Sequence, residues 1–450
     1  MFKRLLSLRL KKSLPGGVGV LVSGTAGAQA LLVMAAPLLT RLYSPEDFGL
    51  LAVFSAILSL GGVISAGRYE LAIPLPENDV DAANLTVLSF LIVVLTSTLL
   101  LGVFASWPVE IAITLNVPEL APYLWLLPCG VLCFGSHEVF AKWAIREKRF
   151  PTLARIRIYQ TLGVLAVQLG AYKLGAGALL GGHAVGQGLG ATGLAVSAFK
   201  RPELRHCSLA EIRQQASRYR RFPLYSTWTA LLNTGSLQVA PIAFVVIYGA
   251  AVAGLYAFTL RIISIPGTMV GNAIGNVFLA SAAAAHRGGD LTDLVAKIHN
   301  RLAMIGALPL MLLILCGPDL FEFLFGPKWR PAGTYAQWMS PWIYFHFQWV
   351  PLSGVAIVLE QQPALLLTEA ITLVLRFTSI GFCALFALEP DTAICLFSVV
   401  SAVVYCVRLT WFLSIAGLRL NRIILVNIKY VSAAALLVFS LLFFLERFLI

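Results

Sequence analysis

Residues 48–67 read "FGLLAVFSAILSLGGVISAG", twenty consecutive residues without a charge. A helix of about 20 apolar residues crosses the hydrocarbon core of a bilayer, so this run predicts a membrane span. A charged pair, Arg68 and Glu70, follows it directly, and Pro74 and Pro76 come next. Because charged side chains avoid the bilayer interior and proline interrupts a helix, we expect the two prolines to end the helix here.

The composition of the whole chain also indicates that the protein lies in a lipid bilayer. Of its 450 residues, 59% are hydrophobic and only 12% are charged, and the mean hydropathy is +0.84. In soluble domains about 25% of residues are charged. These values exclude an ordinary soluble protein and predict an integral membrane protein.

Apolar runs of similar length recur along the chain. Continuous runs favour helices, because the strands of a membrane barrel are about 10 residues long and alternate in polarity. The sequence therefore predicts an all-α polytopic membrane protein with about twelve spans, at residues 17–40, 48–67, 85–107, 121–143, 158–174, 177–199, 223–248, 255–282, 303–325, 338–359, 364–388 and 393–416. A further apolar run at 423–449 is either a thirteenth span or an apolar tail.

The distribution of Lys and Arg predicts the orientation of the chain. With the N-terminus in the cytoplasm, 25 of the 33 basic residues fall on the cytoplasmic side, five on the opposite side and three within spans. Cytoplasmic loops of membrane proteins are enriched in Lys and Arg. We therefore expect a cytoplasmic N-terminus and interpret the net charge of +12 as topological, with no nucleic acid partner.

A basic connection after the sixth span divides the chain into two halves. Within it, Ser208 and Glu211 have the spacing of a helix capping box, and the arginines that follow suit anionic lipid headgroups. The predicted domains are a six-helix bundle, an amphipathic linker, a second six-helix bundle and an apolar tail or extra span, at residues 1–200, 201–222, 223–417 and 418–450.

The two halves share a weak repeat. Residues 42–57, "LYSPEDFGLLAVFSAI", align with residues 247–262, "IYGAAVAGLYAFTLRI", with five identities in sixteen positions. Both stretches lie at the turn between the first two spans of a half. Six spans in each half give the halves the same orientation, so we expect parallel repeats with a substrate path between them.

Four segments resemble bacterial polysaccharide-export flippases, the Wzx-type O-antigen and exopolysaccharide translocases. They are "PLLTRLYSPEDFGLLAVFSAILSLGGVISAGRYELAIPLPENDVDAANL", "RYRRFPLYSTWTALLN", "AGLYAFTLRIISIPGTMVGNAIGNVF" and "FGPKWRPAGTYAQWMSPW". The resemblance implies the V-shaped fold of the multidrug/oligosaccharidyl-lipid/polysaccharide exporter superfamily in the bacterial inner membrane. It implies transport of an undecaprenyl-diphosphate-linked oligosaccharide from the cytoplasmic to the periplasmic leaflet. Its expected partners are membrane lipids, a polysaccharide polymerase and a chain-length regulator.

A lipid-linked diphosphate needs a cationic cavity for its head group, and arginine binds such groups through paired hydrogen bonds. Charges within a bilayer are costly and usually line such cavities or form ion pairs. The candidate residues for binding substrate are Arg41, Arg68, Lys142, Arg261 and Arg376, those for ion coupling are Glu138 and Glu369, and those for a cytoplasmic gate are Glu70, Pro74 and Pro76.

Each candidate also has a purely structural interpretation. Arg68 is equally a topological anchor with Glu70 as its local partner, and Arg41 has acidic neighbours in the following turn. Lys142 lies four residues after Glu138, a spacing that permits an ion pair on one helix face. Glu369 and Arg376 are two helical turns apart, with the same ambiguity, and Arg408 has the position of a cation that reaches the membrane interface.

The sequence contains no motif that calls for a cofactor, a metal ion or a catalytic residue. The seven cysteines have no metal-binding spacing, and the glycines of a GxGxxG pattern at 188–193 lie within an apolar run and follow no strand. Two alternatives to a flippase remain open: a drug or cation antiporter of the same superfamily, and a membrane polysaccharide polymerase. The identity of the glycan and the energy source are not encoded in a recognisable pattern.

Overall fold

A computed structural model of the chain describes residues 16–205, 207–359 and 361–449. The five basic residues at the start of the chain lie outside this part, so the cytoplasmic N-terminus stays a prediction. Every long element in the described residues is helical, which confirms the all-α class. Contacts divide the chain into two units, Met1–Ala250 and Ala251–Ile450, and each is described by itself.

Within its described residues, the first unit contains six long helices, one linker helix, one short helix and the helix that follows the linker. Their bounds are α1 Gly16–Leu42, α2 Pro45–Ser65, α3 Asp79–Ser106, α4 Pro108–Thr114, α5 Leu126–Arg146, α6 Phe150–Gly170, α7 Ala176–Ala198, α8 Leu209–Arg218 and α9 Thr227–Tyr248. Short 3-10 helices lie between some of them, at Tyr69–Ala72, Pro118–Tyr123, Tyr172–Leu174 and Pro202–Arg205. A short π-helix at Phe222–Ser226 precedes α9.

In the part that the structure describes, the second unit contains seven α-helices and the short 3-10 helix Pro327–Trp329. Their bounds are α10 Ala250–Gly288, α11 Leu291–Phe325, α12 Arg330–Leu352, α13 Gly354–Val358, α14 Gln362–Leu385, α15 Pro390–Ile415 and α16 Leu420–Leu449. The start of α10 at Ala250 corresponds to the start of α2 at Pro45 under the offset of the sixteen-residue repeat. The structure thus gives both copies of the repeat the same local form, a short turn followed by a helix.

Helix α2 begins and ends at identifiable signals. At its start the Ser44 side chain accepts a hydrogen bond from the Asp47 amide, the Ser44 amide donates to the Asp47 carboxylate, and Pro45 fills the first helical turn. At its end Gly67 and Arg68 both have left-handed backbones, with φ of 57° and 62°. An arginine in this region is uncommon, which marks the turn as a special conformation.

The predicted role of the prolines at this turn is wrong. The helix ends at Ser65, well before Pro74 and Pro76, because the left-handed residues stop it first. The chain then forms the short turn Tyr69–Ala72, after which Pro74 lies exposed and Pro76 buried. The prolines shape the segment that leads into α3 and do not terminate α2.

The linker helix α8 packs against the start of α3 through buried polar contacts. Asn84 donates to the Glu211 carboxylate at 2.8 Å, and Gln215 donates to Asp81 at 2.7 Å. The capping box predicted for Ser208 and Glu211 does not form, because Ser208 makes no capping hydrogen bond and Glu211 is taken by Asn84. The linker is therefore fixed to the first unit through its polar side chains.

The C-terminal helix α16 is an integral part of the second unit. Its Asn427 lies among α11 and α12 and accepts hydrogen bonds from Tyr344 at 2.8 Å and Gln348 at 3.0 Å. The amide nitrogen of Asn427 lies 3.3 Å from His299. A half-buried amide that satisfies several partners at once fixes the register of the helix against its neighbours.

Eight helices in the described residues are long and apolar enough to cross a membrane, and α16 is one of them. The predicted spans at 121–143, 158–174, 177–199, 255–282 and 338–359 also fall on helices, α5, α6, α7, α10 and α12, each of at least 21 residues. These helices carry more polar, charged or glycine residues. Their crossing of the membrane stays a prediction.

Candidate functional site

Arg68 and Glu70 form an ion pair at the left-handed turn after α2. The Arg68 Nη1 atom lies 3.5 Å from the Glu70 Oε1 atom, and the two side chains are 26% and 6% exposed. The Nε atom of Arg68 and the Oε2 atom of Glu70 are buried without a hydrogen bond in the described part of the chain. The pair is therefore incompletely satisfied, and its accessible member is the cation.

Two residues of α5, Glu138 and Lys142, act electrostatically on the Glu70 carboxylate. Burial raises the pKa of Glu70 and Glu138 adds to this, whereas Arg68 and Lys142 lower the pKa and offset part of the shift. The fold thus brings Arg68, Glu70, Glu138 and Lys142 together, and we call these four residues the charged cluster. No ion pair joins Glu138 to Lys142 in the residues that the structure describes, so the predicted helix-face pair does not form.

A third side chain of α5 holds the segment after the turn in place. Arg146 donates to the Pro76 carbonyl at 2.5 Å and to the Ile73 carbonyl at 3.5 Å, and it pairs with Asp79 at 2.8 Å. Sequence reasoning missed this role, because three of the four acceptors are the backbone carbonyls of Ile73, Pro76 and Glu77, which carry no residue-specific signal. The proposed gate segment is thus fastened to α5 at one end and continuous with α2 at the other.

A cavity of about 520 Å³ opens beside Arg68. Ligand sites in proteins typically measure about 300–1,000 Å³. One wall comes from the end of α2 and the turn after it, and the other from the segment that begins α9. The lining residues are Val63, Arg68, Leu71, Tyr225, Ser226, Thr229, Ala230, Asn233 and Thr234. Arg68 is the charged residue among them.

Arg41 and Arg261 lie elsewhere. Arg41 is exposed at the end of α1, and the nearby Asp47 is taken by the cap of α2. Arg261 is exposed on α10, in the second unit. In the described residues neither forms an ion pair, so the structure gives no local partner that would account for these charges.

Arg376 is buried in the second unit and is surrounded by aromatic rings. Its guanidinium carbon lies 4.7 Å from the ring centre of Trp342, 5.1 Å from that of Phe397 and 5.2 Å from that of Tyr405. Its Nε atom donates to Ser401 at 3.0 Å, and its Nη2 atom is buried without a hydrogen bond to any residue that the structure describes. Stacking on aromatic faces compensates part of the cost of burying this cation.

The predicted pairing of Glu369 with Arg376 is wrong. Glu369 pairs with Arg408 of α15 at 2.6 Å, because the neighbouring helix brings a second arginine closer than the one on its own face. Arg408 is 3% exposed and stacks on Trp349 at 4.2 Å. Its interpretation as a cation at the membrane interface is therefore also wrong.

Among the described residues, no group of three or more His, Cys, Asp or Glu side chains is placed to hold a metal ion. The charged cluster instead offers an arginine and a lysine beside two carboxylates. Such a site can bind an anionic group through Arg68 and can hold or release a proton at Glu70. Anion binding at Arg68 needs the cavity, whereas proton binding at Glu70 follows from the burial of its carboxylate.

The chain belongs to a known family of membrane proteins. The family model described as "Polysaccharide biosynthesis protein" matches residues 38–333, more than half of the chain. This range includes the charged cluster and the cavity. Among curated proteins, none matches the chain.

Solved structures share the fold of the whole chain. One is described as the inward-facing conformation of a multidrug resistance MATE family transporter of the MOP superfamily. It is 15% identical with a TM-score of 0.67, and the match covers 92% of this chain and 98% of that one. Another, the lipid II flippase MurJ in an inward closed conformation, is 10% identical with a TM-score of 0.76, and the match covers 93% of this chain and 92% of that one.

At these identities the likeness shows the fold alone. It confirms the predicted class, a polytopic helical protein with the fold of the multidrug/oligosaccharidyl-lipid/polysaccharide exporter superfamily. Together with the family, it defines a multi-pass membrane protein of polysaccharide biosynthesis.

Proposed function

We propose that the protein is a flippase that moves an undecaprenyl-diphosphate-linked oligosaccharide from the cytoplasmic to the periplasmic leaflet of the bacterial inner membrane. The observation that carries this proposal is the cavity beside Arg68, in a protein of a polysaccharide biosynthesis family. A second support is that one protein with the same fold is described as a lipid II flippase.

The diphosphate binds at Arg68. The Arg68 side chain is 26% exposed and lines the cavity, so its accessible guanidinium nitrogens can donate to an incoming anion. Hydrogen bonds between charged groups contribute about 1.5–3 kcal/mol each. The polyprenyl tail stays in lipid, and alternating access carries the head group across.

Glu70 responds when the diphosphate arrives. Arg68 is its closest cation, at 3.5 Å, and Lys142 also favours its charged form. Once the diphosphate engages Arg68, the buried carboxylate loses part of this stabilisation and takes up a proton more readily. Glu138, beside Glu70, is a further candidate for ion coupling, whereas Glu369 is already engaged in neutralising Arg408.

A drug or cation antiporter is the alternative that shares the fold. Such a carrier needs carboxylates that reach the cargo. At this site the cation is more accessible than the carboxylate, since the Arg68 side chain is 26% exposed and the Glu70 side chain only 6%. The cavity therefore presents a cation, which favours an anionic substrate.

A deletion strain tests the function. If the protein is the flippase, the strain accumulates undecaprenyl-diphosphate-linked repeat units in the inner leaflet and loses surface polysaccharide. Short unpolymerised chains at the cell surface would instead identify a polymerase, and normal polysaccharide with increased sensitivity to cationic drugs would identify an antiporter. Complementation with the wild-type chain is the control.

A further inference from the structure

We propose that helix α8 binds anionic phospholipid headgroups and thereby steadies the turn after α2. The lipid-binding surface is formed by three arginines at the end of α8 and just after it, which we call the basic surface: Arg218, Arg220 and Arg221. Tyr69 joins α8 to the turn. None of these four residues lines the cavity beside Arg68, so the basic surface lies apart from the proposed substrate site.

The inner side of α8 is fixed to the start of α3, which gives its outer side a defined direction. Asn84 donates to the Glu211 carboxylate at 2.8 Å, and Gln215 donates to Asp81 at 2.7 Å. Both carboxylates are thus bound to amides next to α3. The three arginines of the basic surface are exposed, and none forms an ion pair with a residue that the structure describes. Their charge is therefore available to an external anion.

Exposed apolar side chains flank the basic surface. Leu209 at the start of α8 is 82% exposed, and Leu224 and Trp228 after the basic surface are 58% and 65% exposed. Leu224 and Trp228 lie near the start of the segment Phe222–Tyr248, which is apolar enough to cross a membrane. Tryptophan is enriched where a span meets the lipid headgroups. Arginines with apolar neighbours suit the boundary between headgroups and acyl chains, so the occupant that fits is a membrane surface.

The charge of the basic surface selects among membrane lipids. Guanidinium groups donate paired hydrogen bonds to phosphate oxygens. In phosphatidylcholine the choline cation neutralises the phosphate, whereas phosphatidylglycerol keeps a net negative charge. Clusters of basic residues beside a span therefore favour anionic lipids, and salt weakens the attraction. We accordingly expect phosphatidylglycerol to bind at the basic surface in preference to phosphatidylcholine.

A hydrogen bond carries the effect of lipid binding to the turn. The Tyr69 hydroxyl donates to the Ala216 carbonyl of α8 at 3.0 Å. Tyr69 lies between Arg68 and Glu70 on the turn, and its side chain is buried. A segment opens less often when its folded contacts are stabilised by a bound ligand. Headgroups that hold α8 in place therefore steady the turn through Tyr69.

Hydrogen–deuterium exchange of the full-length protein in nanodiscs tests both steps. One set of nanodiscs contains phosphatidylcholine alone, and the other contains phosphatidylcholine mixed with phosphatidylglycerol. With phosphatidylglycerol we expect amides in residues 209–221 and 67–73 to exchange at least about threefold more slowly, and added salt to reduce the difference. In the turn the reporters are the amides of Tyr69, Leu71 and Ile73, which donate to carbonyls of the same turn.

Two variants and a matched control make the test specific. Replacing Arg218, Arg220 and Arg221 together by glutamine should abolish the lipid dependence in both regions. The control replaces three exposed arginines of the second unit by glutamine, Arg287, Arg301 and Arg419, and should keep it at the same net charge. Tyr69→Phe removes only the hydroxyl, so α8 should still respond to phosphatidylglycerol and the turn should not. Size-exclusion profiles and thermal unfolding show whether each variant is folded.

The outcomes separate lipid binding from its transmission to the turn. Equal exchange of α8 in both nanodiscs, or an equal loss of lipid dependence in the control, would overturn lipid binding at the basic surface. Protection of α8 by soluble polyglutamate but not by phosphatidylglycerol would overturn it too and would identify an acidic protein as the partner. If α8 responds and the turn does not, or if the turn still responds in Tyr69→Phe, transmission through Tyr69 is overturned.

Discussion

Arg68 and Glu70 lie on the same short turn with their charged atoms 3.5 Å apart, and only the arginine reaches the cavity. The left-handed backbone at Arg68, with φ of 62°, directs the chain into this turn at the end of α2. A buried carboxylate thus lies behind an accessible cation. This arrangement underlies the proposed capture of an anionic head group and the expected response of Glu70 to it.

Replacing Arg68 should weaken head-group binding. Arg68→Gly keeps the left-handed backbone, which glycine adopts without strain, and removes the charge. We expect about a 10- to 100-fold lower affinity for undecaprenyl diphosphate, because charge-assisted hydrogen bonds are lost. Arg68→Lys should retain part of the affinity, since lysine keeps the charge without the planar fork. Lys173→Ala, an exposed lysine, is the control, and unchanged binding in Arg68→Gly would contradict the account.

Glu70 should make the stability of the protein depend on pH. Its pKa is raised in the folded state, chiefly by burial, so the folded chain binds this proton more tightly than the unfolded chain. The contribution to stability is therefore fully present below the unfolded pKa and is lost as the pH rises through the folded pKa. The groups that face this carboxylate are Arg68, Glu138 and Lys142.

Glu70→Gln removes this titration. The variant should unfold at a temperature that, relative to the wild type, increases as the pH rises above the ordinary pKa of a glutamate, because the raised pKa of Glu70 lies above that value. Thermal unfolding of both proteins at several pH values measures the difference. A difference that stays constant with pH, or one that decreases, would show that Glu70 is not a buried, proton-binding carboxylate.

The Glu369–Arg408 pair should stabilise the second unit. Removing one partner of a buried pair costs about 3–5 kcal/mol, and because Glu369 is 37% exposed we expect Glu369→Gln to fall below this range. Combining it with Arg408→Met should restore stability, since the uncompensated charge is gone. The exposed pair of Arg330 and Asp319 is the control, and Asp319→Asn should leave the unfolding temperature almost unchanged, because water screens exposed charges. Equal losses in the single and double variants at 369 and 408 would refute the pairing.

Arg146 should restrain the segment that enters α3. Its side chain bonds to the carbonyls of Ile73 and Pro76 and pairs with Asp79. In Arg146→Ala these contacts are lost, so backbone amides in residues 71–79 should exchange hydrogen faster. Hydrogen–deuterium exchange followed by mass spectrometry measures this, with Arg213→Ala, an exposed arginine of the linker helix, as the control. Identical exchange in the variant and the wild type would show that Arg146 does not restrain this segment.

Periodicity and composition were sufficient to predict the helical class, because a bilayer leaves so few alternatives for an apolar chain. Arg68 with Glu70 was also predictable, since two residues on one turn are close in any fold. The pairing of Glu369 was not, because the sequence shows which residues share a helix face but not which residue the neighbouring helix supplies. Arg408 lies on α15, and its pairing with Glu369 depends on how α15 packs against α14.

The contacts that depend on backbone conformation were equally hidden. Nothing in the sequence around residue 146 indicates that its guanidinium binds the carbonyls of a distant turn. The end of α2 was assigned to prolines because proline is a recognised helix breaker, yet Gly67 and Arg68 end it first through their left-handed backbones. The cavity wall formed by the segment that begins α9 became visible only in the structure, which places it beside Arg68.

Transport by the purified protein tests the central claim most directly. The full chain is reconstituted into liposomes with undecaprenyl-diphosphate-linked oligosaccharide, and a membrane-impermeant glycosidase reports how much substrate reaches the outer leaflet. We expect time-dependent exposure of the substrate with the wild type and much slower exposure with Arg68→Gly at equal protein content. No exposure beyond that of protein-free liposomes, together with export of a cationic dye from the same vesicles, would contradict a flippase and support an antiporter.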